Sequence, residues 1–157
     1  MADADRERQE AIRELLEEIA DALDLNATVE VTSDGETITG VLHGEDLGLF
    51  IGRHGQTIDA VQHLAHRVAL AASDEEPVPR VVVDAEGYRA RRREALHRQA
   101  DQAAEEAVRF GRPVALDAMT ASERKLVHEH LRERGDVETY SEGDEPDRHL
   151  VVAPVSG

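Results

Sequence analysis

The chain has 157 residues, enough for one ordinary domain or for two small ones that each hold a minor core. It contains no cysteine, which excludes disulfides, thiolate metal sites and a cysteine nucleophile. Its formal net charge of -16, taken over the whole chain, argues against a nucleic-acid partner, because such proteins usually carry a basic footprint.

The charge is unevenly spread, however. Residues 1 to 48 hold three arginines against fourteen acids, whereas residues 85 to 112 hold seven arginines against five acids. Of eighteen basic residues only Lys125 is a lysine, and arginine is the better side chain for bidentate phosphate contact and stacking. A GC-rich genome would favour arginine as well, and a salty cytoplasm would favour the acids. The acidic start MADADRERQEAIREL has no signal-peptide core, and no apolar run approaches membrane-spanning length. A soluble, cytoplasmic protein is expected.

In chain order, Ile12, Leu15, Leu16, Ile19 and Leu23 fall on one face of an amphipathic helix from about 6 to 24. The period then changes: Val29 and Val31 alternate with polar residues, Asp34-Gly35 makes a hairpin turn, and Ile38 and Val41 belong to a return strand. A short helical piece at about 46 to 51 leads into Gly52-Arg53-His54-Gly55. A longer helix follows with Ile58, Val61, Ala65, Val68 and Ala72 inward, then the proline-marked loop SDEEPVP and a short buried strand over 80 to 84. Two glycines three apart between helices relieve a backbone constraint or let something approach closely.

Residues 86 to 110 read as one alanine-rich helix closed by Gly111 and Pro113, with Tyr88, Leu96, Ala100, Ala103, Ala107 and Phe110 on a narrow apolar stripe. Arg89, Arg91, Arg92, Arg93 and Arg98 surround its first part and form a candidate nucleic-acid cluster, although some of them belong to the solvated surface. A short strand then precedes a helix started by a Thr120/Glu123 capping box and ending near Gly135. Strands at about 137 to 141 and 148 to 153 complete a second small unit.

Enzyme signatures are absent. GRHGQT lacks the lysine of a phosphate-binding P-loop, and His128-Glu129-His130 has the wrong spacing for a zinc protease helix. His63 and His66 share a face but have no acidic or thiol companion, so no metal and no cofactor is expected. No nucleophile elbow occurs. The expectation is a binding protein and not an enzyme.

The order helix, strand, strand, helix, glycine turn, helix, strand over residues 6 to 84 resembles a type II KH domain, with Gly52-Arg53-His54-Gly55 as its Gly-x-x-Gly motif. The resemblance implies that the turn clamps about four nucleotides of a single strand, with Arg53 and His54 meeting phosphates. Bare glycines would let a sugar-phosphate backbone lie against the turn, and amides opening the next helix would supply donors. A plain helix-turn-helix joint with glycine caps is the alternative.

Arg124 and His128, at i and i+4 on what is expected to be an exposed helix face, resemble the motif of an Arg-x-x-x-His domain, a module for single-stranded nucleic acid. Arg148 adds to the same basic face. With VETYSEGDEPDR following, the chain resembles the Jag or SpoIIIJ-associated (KhpB) family over nearly every residue. An α+β fold is implied: a KH domain over 1–84, a linking helix over 85–111 and the Arg-x-x-x-His domain over 112–157. The extra N-terminal domain of the longest members is not expected, nor is any membrane association tied to it.

As the resemblance implies, such a protein contacts single-stranded RNA and acts as an RNA chaperone or post-transcriptional regulator connected to cell elongation and division. A small KH-domain partner or a homodimer accompanies that reading. An interaction scaffold with little RNA affinity and a single-stranded DNA binder are the rivals.

Overall fold

The protein's structure is a computed structural model describing residues 1–156. It divides into two compact units, Met1–Arg89 and the remainder from Ala90 onward. Both are α+β.

The first unit opens with helix α1 (Ala2–Ala22), followed by strands β1 (Ala27–Ser33) and β2 (Thr37–Gly44). Helix α1 starts earlier than its apolar period suggests. Asp3 and Asp5 lie in its first turn, where carboxylates favour the positive end of the helix dipole. It stops because Asp24 adopts a left-handed backbone and the Leu25 amide turns back to the Ala20 carbonyl at 2.9 Å. Ile12 and Leu16 are fully buried, contributing about 2 kcal/mol each.

The hairpin forms at Asp34-Gly35 as its residues predict. The Asp34 carboxylate accepts from the Glu36 and Thr37 amides at 2.9 and 2.7 Å. Those two amides hold the Asp34 carboxyl below its ordinary range, Thr37 contributing most. Strand β3 (Arg80–Ala85) runs parallel to β2, Ile38 facing Val81, so the sheet order is β1-β2-β3. Between β2 and β3 the chain makes α2 (Gly48–Ile51), one 3-10 turn (Arg53–Gly55) and α3 (Gln56–Ala72). Phe50 anchors α2 with no exposed surface, and Ile58, Val61, Ala65 and Ala69 face α3 inward.

One buried cation closes this core. Arg8, 3% exposed, donates from Nε to the Ala69 carbonyl at 3.3 Å and from Nη2 to the carbonyls of Ser73, at 3.2 Å, and Glu75. It satisfies carbonyls that the end of α3 leaves without helical partners.

The second unit contains most of α4 (Tyr88–Phe110), then β4 (Val114–Ala115), α5 (Ala121–Leu131), β5 (Val137–Glu142) and β6 (His149–Pro154). Its sheet is antiparallel with order β4-β6-β5. Leu96, Ala100, Ala103, Ala104 and Ala107 of α4 pack with Val127, Leu131, Leu150 and Val152 in one cluster. The apolar stripe of α4 therefore belongs largely to this core; Tyr88 packs against the first unit's core, and Phe110 is exposed. Thr120 caps α5 by accepting from the Glu123 amide at 3.3 Å, while the Glu123 carboxylate reaches Arg92.

Candidate nucleic-acid interface

The glycine turn owes its shape to backbone conformations that side chains resist. Gly52 has φ 74 and ψ 175, a region essentially confined to glycine. Gly55 is left-handed at φ 77, ψ 15, and His54 is left-handed too. The two glycines also admit close neighbours, and those neighbours are the chain's own. A β-carbon on Gly52 would lie 2.7 Å from Thr57 Cβ, and one on Gly55 would lie 2.7 Å from the Tyr88 hydroxyl. The space expected for a sugar-phosphate chain on those sides is thus filled internally. What the turn offers outward is Arg53, exposed, with His54 half-buried beside it. No side chain caps the start of α3.

The arginines opening α4 divide by environment. Arg89 is committed internally: Nε donates to the Val83 carbonyl at 2.7 Å, Nη1 to Asp59 at 3.0 Å and Nη2 to Gln62 at 3.0 Å. Arg92 is half-buried against Glu123 at 2.8 Å, and its Nε is buried without a partner. Arg91, Arg93 and Arg98 are exposed.

In the second unit, an open hollow of about 470 Å³ is lined by Arg124, Lys125, His128, Thr139, Ser141 and Arg148, among others, with no carboxylate in its wall. It brings together the three basic residues singled out in the sequence. Lys125 joins them from the next position on α5, and Thr139 and Ser141 come from β5. These last two were missed because the β5 register that carries them beside α5 leaves no local motif. The His128 imidazole Nδ1 is hydrogen-bonded with the Thr139 hydroxyl, which fixes the ring. Arg148 donates to the Gly143 carbonyl at 2.6 Å, pinning the loop between β5 and β6.

One expectation is corrected. Arg124 does not lie on an exposed face: it is 8% exposed, donating from Nη1 to the Met119 carbonyl at 2.6 Å and from Nη2 to Glu145 at 2.8 Å. Helical spacing gives the face but not the segments that fold over it, here the lead-in to α5 and the β5–β6 loop. His128, one turn on, is exposed as expected.

A family model described as KhpA/KhpB, KH domain matches residues 9–83, and the model of the R-3-H domain, named for its Arg-x-x-x-His motif, matches residues 94–154. Among curated proteins the chain is similar to several named RNA-binding protein KhpB. That of Clostridium symbiosum is 35% identical over 147 residues, covering 92% of this chain and 65% of the relative. That of Lactiplantibacillus plantarum is 44% identical over 106 residues, covering 68% and 32%. The Bacillus subtilis protein is 34% identical over 140 residues, covering 88% and 66%. The chain spans just under two thirds of the first and third of these relatives and about a third of the second. Among the described residues no helix is long and apolar enough to cross a membrane. With a KhpA/KhpB-type KH domain followed by an Arg-x-x-x-His domain, and these relatives along most of its length, the chain belongs to the KhpB family.

Proposed function

We propose that this chain binds single-stranded RNA at two places, the turn Gly52-Arg53-His54-Gly55 and the hollow around Arg124, His128 and Arg148. The observation that carries the reading is the hollow itself. Three cationic side chains and a histidine line its wall, with Glu145 reaching Arg124 from the β5–β6 loop, in a chain of net charge -16. Such a concavity attracts an anion locally even where the overall field repels it. Hydroxyls of Thr139 and Ser141 add neutral donors suited to phosphate or ribose oxygens. Exposed Arg53 supplies the cation at the other site, and the relatives' name, RNA-binding protein KhpB, agrees with the assignment.

The cellular role proposed with this binding is that of an RNA chaperone or post-transcriptional regulator in the cytoplasm, connected to cell elongation and division. A small KH-domain protein or a second copy of the chain is the partner that fits this role. No catalytic step is assigned to it. Arg91 and Arg93 extend the nucleic-acid surface, whereas Arg89 and Arg92 act structurally through Asp59 and Glu123.

The test is a titration of the full chain with a labelled 12-nucleotide single-stranded RNA, the same RNA as a duplex, and single-stranded DNA of equal sequence. Single-stranded RNA should bind tightest, with a log affinity against log salt slope of about -3, as expected for roughly four phosphate contacts at about 0.7 each. Equal binding of DNA would move the assignment to single strands in general. No binding of any of the three would leave an interaction scaffold.

A further inference from the structure

We propose that Glu145 is a built-in competitor for the Arg124 guanidinium, holding the anion position of the hollow until a phosphate displaces it. This rests on the RNA-binding reading of the hollow and names how that site is regulated. The two partners are unequal. The Arg124 side chain is 10% exposed and keeps a second bond to the Met119 carbonyl at 2.6 Å, so its position does not depend on Glu145. The Glu145 side chain is 60% exposed and reaches Arg124 from the loop between β5 and β6.

The energetics are correspondingly one-sided. A mostly buried guanidinium needs an anion, because leaving it without one is costly. An exposed carboxylate that loses its partner is rehydrated at little cost. Phosphate is well suited to replace it, since guanidinium–phosphate pairs can be bidentate and charge-assisted. The same loop carries Arg148, whose bond to the Gly143 carbonyl, with the Asp147 amide on the Asp144 carbonyl at 2.8 Å, closes the loop on itself. One segment therefore delivers a cation to the hollow and masks another. A weakly charged anion would compete poorly with Glu145, whereas pyrophosphate or a strand that also engages Arg148, Lys125 and His128 would displace it more readily.

The experiment compares Glu145→Gln, with Glu145→Ala as a second variant, against the unaltered full chain. Two probes are titrated: inorganic pyrophosphate, followed by the Arg124 Nε–H resonance, and the labelled 12-nucleotide RNA, followed by anisotropy. Both variants should bind both probes about three- to tenfold tighter, the range expected when one internal ion pair no longer competes. Their melting temperatures should fall below that of the parent, because the mostly buried guanidinium loses its anion, and bound pyrophosphate should restore much of the loss. Pyrophosphate affinity that is unchanged or weaker in both variants overturns the proposal and makes Glu145 a residue that positions Arg124. Tighter pyrophosphate with unchanged RNA affinity upholds the competition and removes the hollow from RNA binding.

Discussion

Thr57 stands so close to Gly52 that a β-carbon at position 52 would fall 2.7 Å from the threonine Cβ and 2.9 Å from its backbone nitrogen. The first glycine of the turn is therefore required by the fold itself, before any ligand arrives. Gly52→Ala combines this overlap with a backbone region that costs a side chain dearly, and should destabilise by about 3 kcal/mol. Gly48→Ala is the control: a β-carbon there meets nothing within 4 Å, and alanine in α2 should be neutral or slightly stabilising. Urea midpoints decide it, and equal midpoints for the two variants would contradict the packing account.

Charge reversal at the turn separates binding from folding. Asp is among the residues that tolerate the left-handed conformation His54 adopts at φ 55, so Arg53→Asp/His54→Asp should leave the melting temperature nearly unchanged. RNA affinity should fall at least about tenfold, since two carboxylates would face the phosphates. Unchanged binding of short single-stranded RNA in an anisotropy titration would remove the turn from the interface.

Arg124 and His128, one helical turn apart, should respond differently to alanine. Arg124→Ala strips a charged donor from the Met119 carbonyl and from Glu145 and should cost about 2 to 3 kcal/mol. His128→Ala touches an exposed ring and should stay within about 0.5 kcal/mol while weakening RNA binding. Denaturant curves for the two single variants, paired with RNA titrations, check this division. Equal stability losses would return the pair to a common structural role.

The second unit carries its own pH dependence. His97 and His130 stack with ring centroids 4.0 Å apart and 7° between planes, and His130 is hydrogen-bonded with Asp101 at 2.9 Å. Burial, then the charge of His130, lowers the His97 pKa; Asp101 opposes the shift and Arg93 adds to it. A histidine with a lowered folded value binds fewer protons folded than unfolded. Its contribution to stability is thus present above the ordinary histidine value of about 6.5 and lost as pH falls through the folded one. Melts from pH 7.5 to 5 should show a shallower decline for His97→Asn than for the parent, and parallel declines would refute the assignment.

The elements and the two motifs were legible because each has a local signature. Alternation marked β1 and β2, the 3.6-residue period marked α1 and α3, and Asp34-Gly35 marked the turn between the first two strands. What stayed hidden was decided by distant residues. Nothing near Arg8 tells that it will be buried under the end of α3, and nothing near Arg124 tells that Glu145 will cover it. Arg89 and Arg92 looked like surface cations because their partners lie about thirty residues away, at Asp59 and Glu123. Sequence spacing assigns a face to a side chain; only the folded chain assigns its neighbours.

The most direct test of the two-site claim is to photocrosslink the full chain to a 4-thiouridine-containing single-stranded RNA and map the modified peptides by mass spectrometry. Adducts should fall on two segments, one carrying residues 52 to 55 and one carrying residues from 124 to 148. They should disappear from the first segment in Arg53→Asp/His54→Asp and from the second in Arg148→Glu, each variant leaving the other segment labelled. Adducts confined to one segment in the unaltered chain, or lying elsewhere and indifferent to both variants, would contradict the account.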